Sequence, residues 1–360
     1  AANNVPRIEY DATGAVKGLL IEEARTNLMV YSGDLTNSSW ASPRLTVGAV
    51  TAGSPFGAYQ SITPVAQGTV KANAYQVGKS ITSGATYVGW ALVKYSAGSG
   101  WFALNLYDTS KSDERAWFDL QNGVVGAKDA LIIDHGMIDY GDGWWLCWAS
   151  ANAASTSGGL VVAVTNGNSV VTSSTSDTIL IAGSQFEQGA FPTSYIPTTT
   201  GATATRARDI AEIPMSAFGY NNDKGSLVID VLTPVVDQFM ALAIFNTSSY
   251  ANSRGFFKSS LGLSLAGPYY MTFSYDGTTT ALELGQQTQA VYAKLGLSYG
   301  DNEVGVRDGG TVLSGDSRYP NPVRLFLGGR DNGTQSQCWI KSIQYYPRQL
   351  TDTQLQELTT

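Results

Sequence analysis

Short apolar stretches of strand length, separated by turn-forming residues, recur along most of the chain. In the stretch 101–107, Phe102, Leu104 and Leu106 occupy alternate positions, as side chains on one face of a β-strand do. The continuous apolar run at 160–164 is typical of a strand that is buried on both faces. The pattern predicts an all-β protein made of antiparallel β-sandwiches of the jelly-roll type.

The opposite face of the 101–107 strand carries Trp101, Ala103, Asn105 and Tyr107. Two aromatic rings with an amide between them could stack on sugar rings and bond their hydroxyl groups. Aromatic residues on the outer face of a sandwich more often serve packing or subunit contacts, so this structural interpretation stands beside the functional one. Trp101 is the candidate glycan-binding residue of this strand.

The segment 139–149 is the densest aromatic patch of the chain. Alternation places Trp145 and Cys147 on one face of the predicted strand and Trp144 and Trp148 on the other. We expect Trp145 or Trp148 to be exposed before any other tryptophan of this half of the chain. Both are candidates for glycan binding.

The segment 179–209 indicates where one β-domain ends and another begins. Its apolar run stops before Pro192 and Pro197, which remove backbone donors and forbid helix. Only Thr, Gly and Ala follow at 198–205, and these residues are too small to build a core. The predicted organisation is two tandem sandwiches, with an N-terminal arm at 1–17, a β-sandwich at 18–200, a linker at 201–212 and a second β-sandwich at 213–360.

The composition agrees with this fold and limits the classes of molecule that the protein is expected to bind. The 360 residues include 39 glycines and only 14% charged residues, which favours strands and turns over helices. The net charge of -7 argues against nucleic acid, whose phosphates need a concentrated basic surface. An anionic capsule stays open as a partner, because local Arg or Lys clusters can act within an acidic chain. No apolar run approaches the length of a membrane span, so neither such a span nor a secretory leader is expected.

No residue set with catalytic spacing stands out, so we expect no enzyme activity. His135 is the sole histidine and lies in a predicted turn, which excludes multi-histidine zinc sites. Cys147 and Cys338 fall in different predicted domains within apolar stretches, and both are expected to be buried thiols. Carboxylate pairs such as Asp139 with Asp142 lie in turn-rich segments, where a capping role is commoner than glycosidase chemistry.

Two long motifs resemble a module of bacteriophage tail-fibre and spike proteins. They are Gly18-Leu-Leu-Ile-Glu-Glu-Ala-Arg-Thr-Asn-Leu28 and Gln185-Phe-Glu-Gln-Gly-Ala-Phe-Pro-Thr-Ser-Tyr-Ile-Pro-Thr198. Phe186 and Arg208 are departures, since relatives usually have Leu and Ala there. The resemblance implies a carbohydrate-binding-module-like β-sandwich that belongs to a phage or a phage-like particle.

The end of the chain, at 338–358, resembles the close of laminin-G and concanavalin-A-like jelly rolls. In such folds a last strand is followed by a short helix that lies on the sandwich. Thr351 is expected to cap this helix, and Leu350, Leu355 and Leu358 are expected to pack it against the sheet. The resemblance implies a lectin-like second domain.

Sugar sites pair an aromatic platform with planar polar side chains, and lectin-like sandwiches usually place them on loops and on one sheet face. In the second predicted domain the candidate glycan-binding residues are Tyr269, Tyr270, Arg307, Tyr319, Arg330, Asp331 and Asn332. A calcium ion held by Asp301, Asp331 or Asn332 is a further hypothesis, although Asp and Asn in Gly-rich loops are commoner as turn formers. No other cofactor is expected.

The resemblances imply a non-catalytic adhesin, a tail fibre or head spike that binds host polysaccharide such as capsule or lipopolysaccharide. Such a protein is made in the host cytoplasm, released by lysis and displayed on the surface of the virion or phage-like particle. Other particle proteins are expected partners, and assembly as a homotrimer would let weak sites gain avidity. Two alternatives stay open, a capsid or tail decoration protein without sugar binding and a polysaccharide depolymerase.

Overall fold

The computed structural model describes residues 5–108, 114–234, 240–246, 253–261, 266–288, 290–329 and 337–360. The first eighteen strands are β1 (Ile8–Tyr10), β2 (Val16–Ile21), β3 (Arg25–Asn27), β4 (Leu45–Val47), β5 (Thr51–Ser54), β6 (Gly57–Pro64), β7 (Thr69–Val70), β8 (Ala72–Ser80), β9 (Thr86–Ala97), β10 (Trp101–Asp108), β11 (Arg115–Asp119), β12 (Val124–Lys128), β13 (Ile132–Asp139), β14 (Trp144–Asn152), β15 (Ser157–Thr165), β16 (Thr172–Ser173), β17 (Thr178–Gln188) and β18 (Ala204–Arg206). After them come β19 (Ala211–Pro214), a one-turn 3-10 helix (Met215–Ala217), β20 (Gly225–Leu232), β21 (Met240–Asn246), β22 (Ser253–Leu261), β23 (Ala266–Tyr275), β24 (Thr279–Gln286), β25 (Ala293–Tyr299), β26 (Glu303–Arg307), β27 (Leu313–Gly315), β28 (Arg324–Leu327), β29 (Cys338–Tyr346) and the helix α1 (Asp352–Thr359). Pairings between these strands are antiparallel, and the predicted all-β fold of antiparallel sandwiches is confirmed.

The described residues divide into two compact units. One, here named the central unit, spans Arg25–Arg206, and the other, named the composite unit, combines the residues up to Ala24 with those from Ala207 onward. This division differs from the boundaries expected at 18, 200 and 213. The reason is strand pairing, because β2 joins β29 near the end of the chain, while β18 pairs with β3 and β19 pairs with β28. The expected arm and linker therefore contribute strands.

The central unit is a sandwich of two main sheets. The first sheet has the strand order β12-β11-β10-β15-β8, and the second has β13-β14-β9-β17-β6-β4 with β5 paired to β6. Phe102, Leu104 and Leu106 of β10 belong to the apolar core shared by both sheets, as their alternation predicts, and each is at most 4% exposed. The intervening side chains of β10 therefore lie on the outer face of the first sheet.

Polar residues of the motifs at 18–28 and 185–198 hold the segment that follows β17. Asn27 donates from Nδ2 to the carbonyl oxygen of Ile196 at 3.0 Å, and Gln185 Oε1 accepts the Ile196 N–H at 2.8 Å. The buried Glu187 carboxylate accepts the N–H and the hydroxyl of Thr193 at 2.9 and 2.8 Å. Burial raises the pKa of Glu187. These motif residues make structural contacts.

The composite unit has two sheets, with the strand orders β1-β2-β29-β20-β25-β26-β27 and β19-β28-β21-β22-β23-β24. In β2, Leu20 lies opposite Trp339 of β29. Gly18 has a φ of 129°, and a Cβ atom there would lie 2.5 Å from the carbonyl oxygen of Ile340. A glycine is therefore required for β2 to approach β29 this closely.

The helix α1 has the predicted cap and packing. Thr351 Oγ1 accepts the N–H of Gln354 at 3.3 Å, and Gln354 Oε1 accepts the N–H of Thr351 at 3.2 Å, which is a capping box. Leu350 and Leu355 are buried, and Leu358 packs beside them. No helix of the described residues is long and apolar enough to cross a membrane.

Candidate functional site

A groove with a volume of about 380 Å³ lies on the outer face of the first sheet of the central unit. It crosses β8, β15, β10 and the start of β11, and the segment around Val171 closes one side. The side chains that line it are Lys71, Asn73, Tyr75, Val77, Ala103, Asn105, Tyr107, Arg115, Val161, Ala163, Thr165 and Val171. A ligand-sized concavity on one sheet face is a feature that a smooth sandwich surface does not have.

Small side chains make the floor of the groove. Strand register sets Ala103 of β10 opposite Ala163 of β15, and Ala163 in turn opposite Asn73 of β8. The next row along the strands contains Val161, which lies between Asn105 and Tyr75. Because Ala and Val stand where larger side chains would fill the space, the sheet itself forms a depression.

Tyrosines and amides make the walls. Tyr75 and Tyr107 are half-buried, so each keeps part of its ring open to solvent. No described residue forms a hydrogen bond with the hydroxyl of either tyrosine or with the side chain of Asn73. Asn105 uses Oδ1 to accept the N–H of Glu114 at 3.3 Å, which leaves its Nδ2 donor for another partner.

Two cations complete the lining. Lys71 lies directly before β8 and Arg115 begins β11. The backbone N–H of Arg115 is bound by Asp129 Oδ2 at 2.9 Å, and no carboxylate is among the described residues that line the groove. The groove therefore combines aromatic faces, amides and positive charge.

The side chain of Trp117, in β11, holds the segment around Val171 beside the groove. Trp117 is 3% exposed and lies opposite Ala103 in the sheet. Its Nε1 donates to the carbonyl oxygen of Val170 at 2.8 Å, which ties β11 to the segment that carries Val171. The segment that carries Val171 is thus attached to the sheet by a partly buried hydrogen bond.

The three tryptophans predicted as glycan-binding residues of the central unit do not line this groove. Trp101 is on the predicted face, yet its ring lies against Gly126 of β12, beyond the lining side chains. Trp145 packs beside the apolar core and over Gly123, whereas Trp148 belongs to the aromatic cluster on the outer face of the second sheet. All three tryptophans are half-buried.

The predicted residues of the composite unit do not form an open aromatic platform. Tyr270 is fully buried and its hydroxyl lies 3.0 Å from that of Thr233, so its ring has no surface for a sugar. Tyr269 is 8% exposed. Arg307 lies over the Tyr270 ring at 5.0 Å and bonds Asp308 at 2.9 Å.

Of the remaining predicted residues, Tyr319 and Asp301 lie in the described part of this unit. Tyr319 is 47% exposed, and its hydroxyl donates to the carbonyl oxygen of Gly300, next to the exposed Asp301. Arg330, Asp331 and Asn332 lie outside the described residues. Within the described part of the chain, no group of three His, Cys, Asp or Glu side chains could hold a metal ion. Calcium at Asp301, Asp331 and Asn332 stays a prediction.

Alternation alone could have assigned the lining residues of β8 and β11 to an outer sheet face. In β8, Ala72 and Ala74 are buried in the core, so Asn73 and Tyr75 must face outward. Arg115 is likewise out of phase with the buried Ala116. The sequence does not reveal that these faces meet, because strand order brings β8 beside β15 and β15 beside β10.

A scan against protein-family profiles and a search of curated proteins gave no match. Among solved structures, the chain is similar to the CBM40 module of the Ruminococcus gnavus IT-sialidase bound to α2,3 sialyllactose, at 16% identity and a TM-score of 0.31, covering 38% of this chain and 83% of that one. It is also similar to domain 4 of AbnA, an extracellular arabinanase from Geobacillus stearothermophilus, in complex with arabinotriose, at 14% identity, a TM-score of 0.29 and coverages of 38% and 67%. Trypanosoma rangeli sialidase, in complex with the inhibitor DANA, matches over 86% of this chain and 61% of its own, at 10% identity and a TM-score of 0.34. These structures are distant β-rich neighbours.

Proposed function

We propose that the protein is a non-catalytic adhesin of a phage or phage-like particle, and that the groove of its central unit binds polysaccharide on the host cell surface. The observation that carries the proposal is the floor of small side chains in the groove beside Tyr75 and Tyr107. A pyranose ring has an apolar face and a rim of hydroxyl groups, and it needs an aromatic surface beside polar donors and acceptors. The groove offers this combination.

The absence of carboxylates from the described lining supports binding over cleavage. Glycosidases act with a pair of carboxyl groups on either side of the scissile bond. The groove has amides, hydroxyls and cations, which can hold a saccharide but do not form such a pair. Measured turnover of a polysaccharide would contradict this part and favour the depolymerase alternative.

The particle assignment is supported by the two sequence motifs. An adhesin of this kind would stand on the surface of the virion or phage-like particle, attached to other particle proteins. Display in several copies, for example as a homotrimer, would raise the avidity of a single weak groove.

The groove is tested with Tyr75→Ala and Tyr107→Ala in a glycan array and in binding to host cells with and without capsule. Loss of one stacking surface should weaken binding about tenfold. The matched control is Tyr59→Ala, because Tyr59 is also half-buried but contacts Trp144 on the outer face of the second sheet. Thermal unfolding of each variant shows whether the fold is retained.

If Tyr59→Ala abolishes binding and the two groove variants do not, the site lies on the second sheet instead. If the parent binds no glycan and no encapsulated cell, the decoration alternative is correct.

A further inference from the structure

The charge of the groove is opposite to that of the chain. The whole protein has 29 acidic and 22 basic side chains, with a net charge of -7. Among the described lining residues the only ionic side chains are the cations Lys71 and Arg115. Two carboxylates nearby accept backbone N–H groups, Asp119 from Gln121 at 3.1 Å and Asp129 from Arg115 at 2.9 Å, and neither lines the groove. A positive groove in an acidic chain favours an anionic ligand.

The backbone of Lys71 gives a second, independent indication. Its φ is 58°, in the left-handed region where glycine is favoured and a long side chain is uncommon. The Lys71 N–H donates to the carbonyl oxygen of Val171 at 2.9 Å, which holds the residue in this conformation. Since glycine would adopt it without steric cost, the lysine side chain is the feature that requires explanation.

Arg115 and Lys71 lie at different ends of the groove. Arg115 lies in the row of Asn105, Val161 and Tyr75, whereas Lys71 lies beside Thr165, four residues further along β15. The row spans three strand spacings, or about 14 Å, and four residues along a strand add about 13 Å. The two side chains therefore do not converge on one carboxylate.

We infer that the groove binds an acidic saccharide that carries carboxylates at more than one position along its chain. The inference rests on the proposed function of the groove and adds the chemical class of the ligand. Arg115 and Lys71 also make contacts within the protein. A guanidinium has five N–H donors and an ammonium has three, so each can keep such a contact and bind a ligand carboxylate as well.

The test uses Arg115→Gln and Lys71→Gly with uronic-acid oligosaccharides and with the same oligosaccharides after reduction of their carboxylates to alcohols. Each variant should bind the acidic oligosaccharide about tenfold more weakly, the scale of a lost hydrogen bond to a charged group, and should bind the reduced form as the parent does. Added salt should weaken the binding of the acidic oligosaccharides and leave the binding of the reduced ones unchanged. Arg44→Gln is the control for an exposed cation, and Asp142→Gly is the control for a left-handed residue, because Asp142 has a φ of 51°.

Lys71→Gly removes the charge without straining the backbone, so unchanged or raised thermal stability with weaker acidic binding supports the inference. Equal binding of acidic and reduced saccharides by the parent overturns the inference and leaves the proposed function intact. Absence of binding to either form, on an array that spans both classes, overturns both. If an oligosaccharide with a single terminal carboxylate binds as tightly as one with a carboxylate on every residue, the requirement for several charges is wrong.

Discussion

The interiors of the two units differ in the side chains that fill them. Between the main sheets of the central unit the buried cluster is apolar, with Phe102 and Phe118 among its largest members. Between the sheets of the composite unit, Arg254, Lys258 and Glu303 are fully buried beside apolar side chains. The stability of the central interior depends on how completely side chains fill its volume. The stability of the composite interior also depends on whether each buried charge has partners.

Aromatic and hydroxyl groups surround the buried charges of the composite unit. The Arg254 guanidinium lies 3.6 Å from the centre of the Tyr299 ring, and the Ser274 hydroxyl donates to Glu303 across the two sheets. Lys258 donates to the carbonyl oxygen of Pro234. Such contacts make an interior sensitive to the loss of a single polar group.

The largest effect should come from removing one buried side chain in each unit. Phe102→Ala should lower the free energy of unfolding by about 3–5 kcal/mol because it leaves a cavity. Arg254→Ala should cost a similar amount, since it removes the stronger of the two positive charges, Arg254 and Arg318, that favour the ionised form of the buried Glu303. Urea denaturation measures both, with the exposed Arg44→Ala as control.

A double variant then separates the two causes. Arg254→Met with Glu303→Leu should recover most of the loss, because apolar groups of similar volume replace both charges. If the double variant is as unstable as Arg254→Ala, packing and not charge controls this interior.

The next largest effect should be a pH dependence of stability that comes from Glu303. Burial raises the pKa of Glu303 from its ordinary value of 4.5 to about 7, so the folded protein holds this proton more tightly than the unfolded chain does. The contribution is fully favourable below about pH 4.5, decreases as the pH rises to about 7, and is constant above that, for a total of about 3 kcal/mol. Glu303→Gln should remove this decrease from urea midpoints measured between pH 4 and 8.

Glu187 is the corresponding buried carboxyl group of the central unit. Its pKa is also raised by burial, with Arg25 opposing the shift, so Glu187→Gln should change the pH profile in the same direction. An identical pH profile for the parent and for Glu303→Gln would contradict the expected role of Glu303.

The smallest effect concerns the surface helix of the composite unit. Thr351→Ala removes the capping side chain of α1 and should lower stability by about 1 kcal/mol. Thr351→Ser keeps the hydroxyl and should be nearly neutral in the same denaturation series. Equal losses for Ala and Ser would show that the capping hydrogen bond contributes little.

The apolar interior could be predicted from the sequence, and the charged one could not. Alternation identified the inward face of β10 because Phe102, Leu104 and Leu106 share it. In β22, Arg254 and Lys258 alternate with Phe256 on the inner face, a pattern that sequence reasoning assigns to a mixed or solvent face. The burial of Arg254 depends on Tyr299 and Glu303, and Lys258 donates to Pro234, all of which are distant along the chain.

The groove was predictable in part for the same reason. Alternation predicted the outer face of β10, including Asn105 and Tyr107, because one strand suffices for that step. Tyr75 and Arg115 join them only through strand order, which local pattern does not determine. Trp101 shares that outer face, yet its ring extends toward Gly126, a side-chain direction that alternation does not specify.

The pairing of β2 with β29 also constrains the order of events on the ribosome. Residues 16–21 are translated more than 300 residues before their partners at 338–346. Throughout that interval β2 cannot pair with β29, whereas every strand of Arg25–Arg206 is synthesised before β29 is translated. Nascent chains should therefore acquire the groove before the sheet that β2 belongs to is complete, since distant contacts close last.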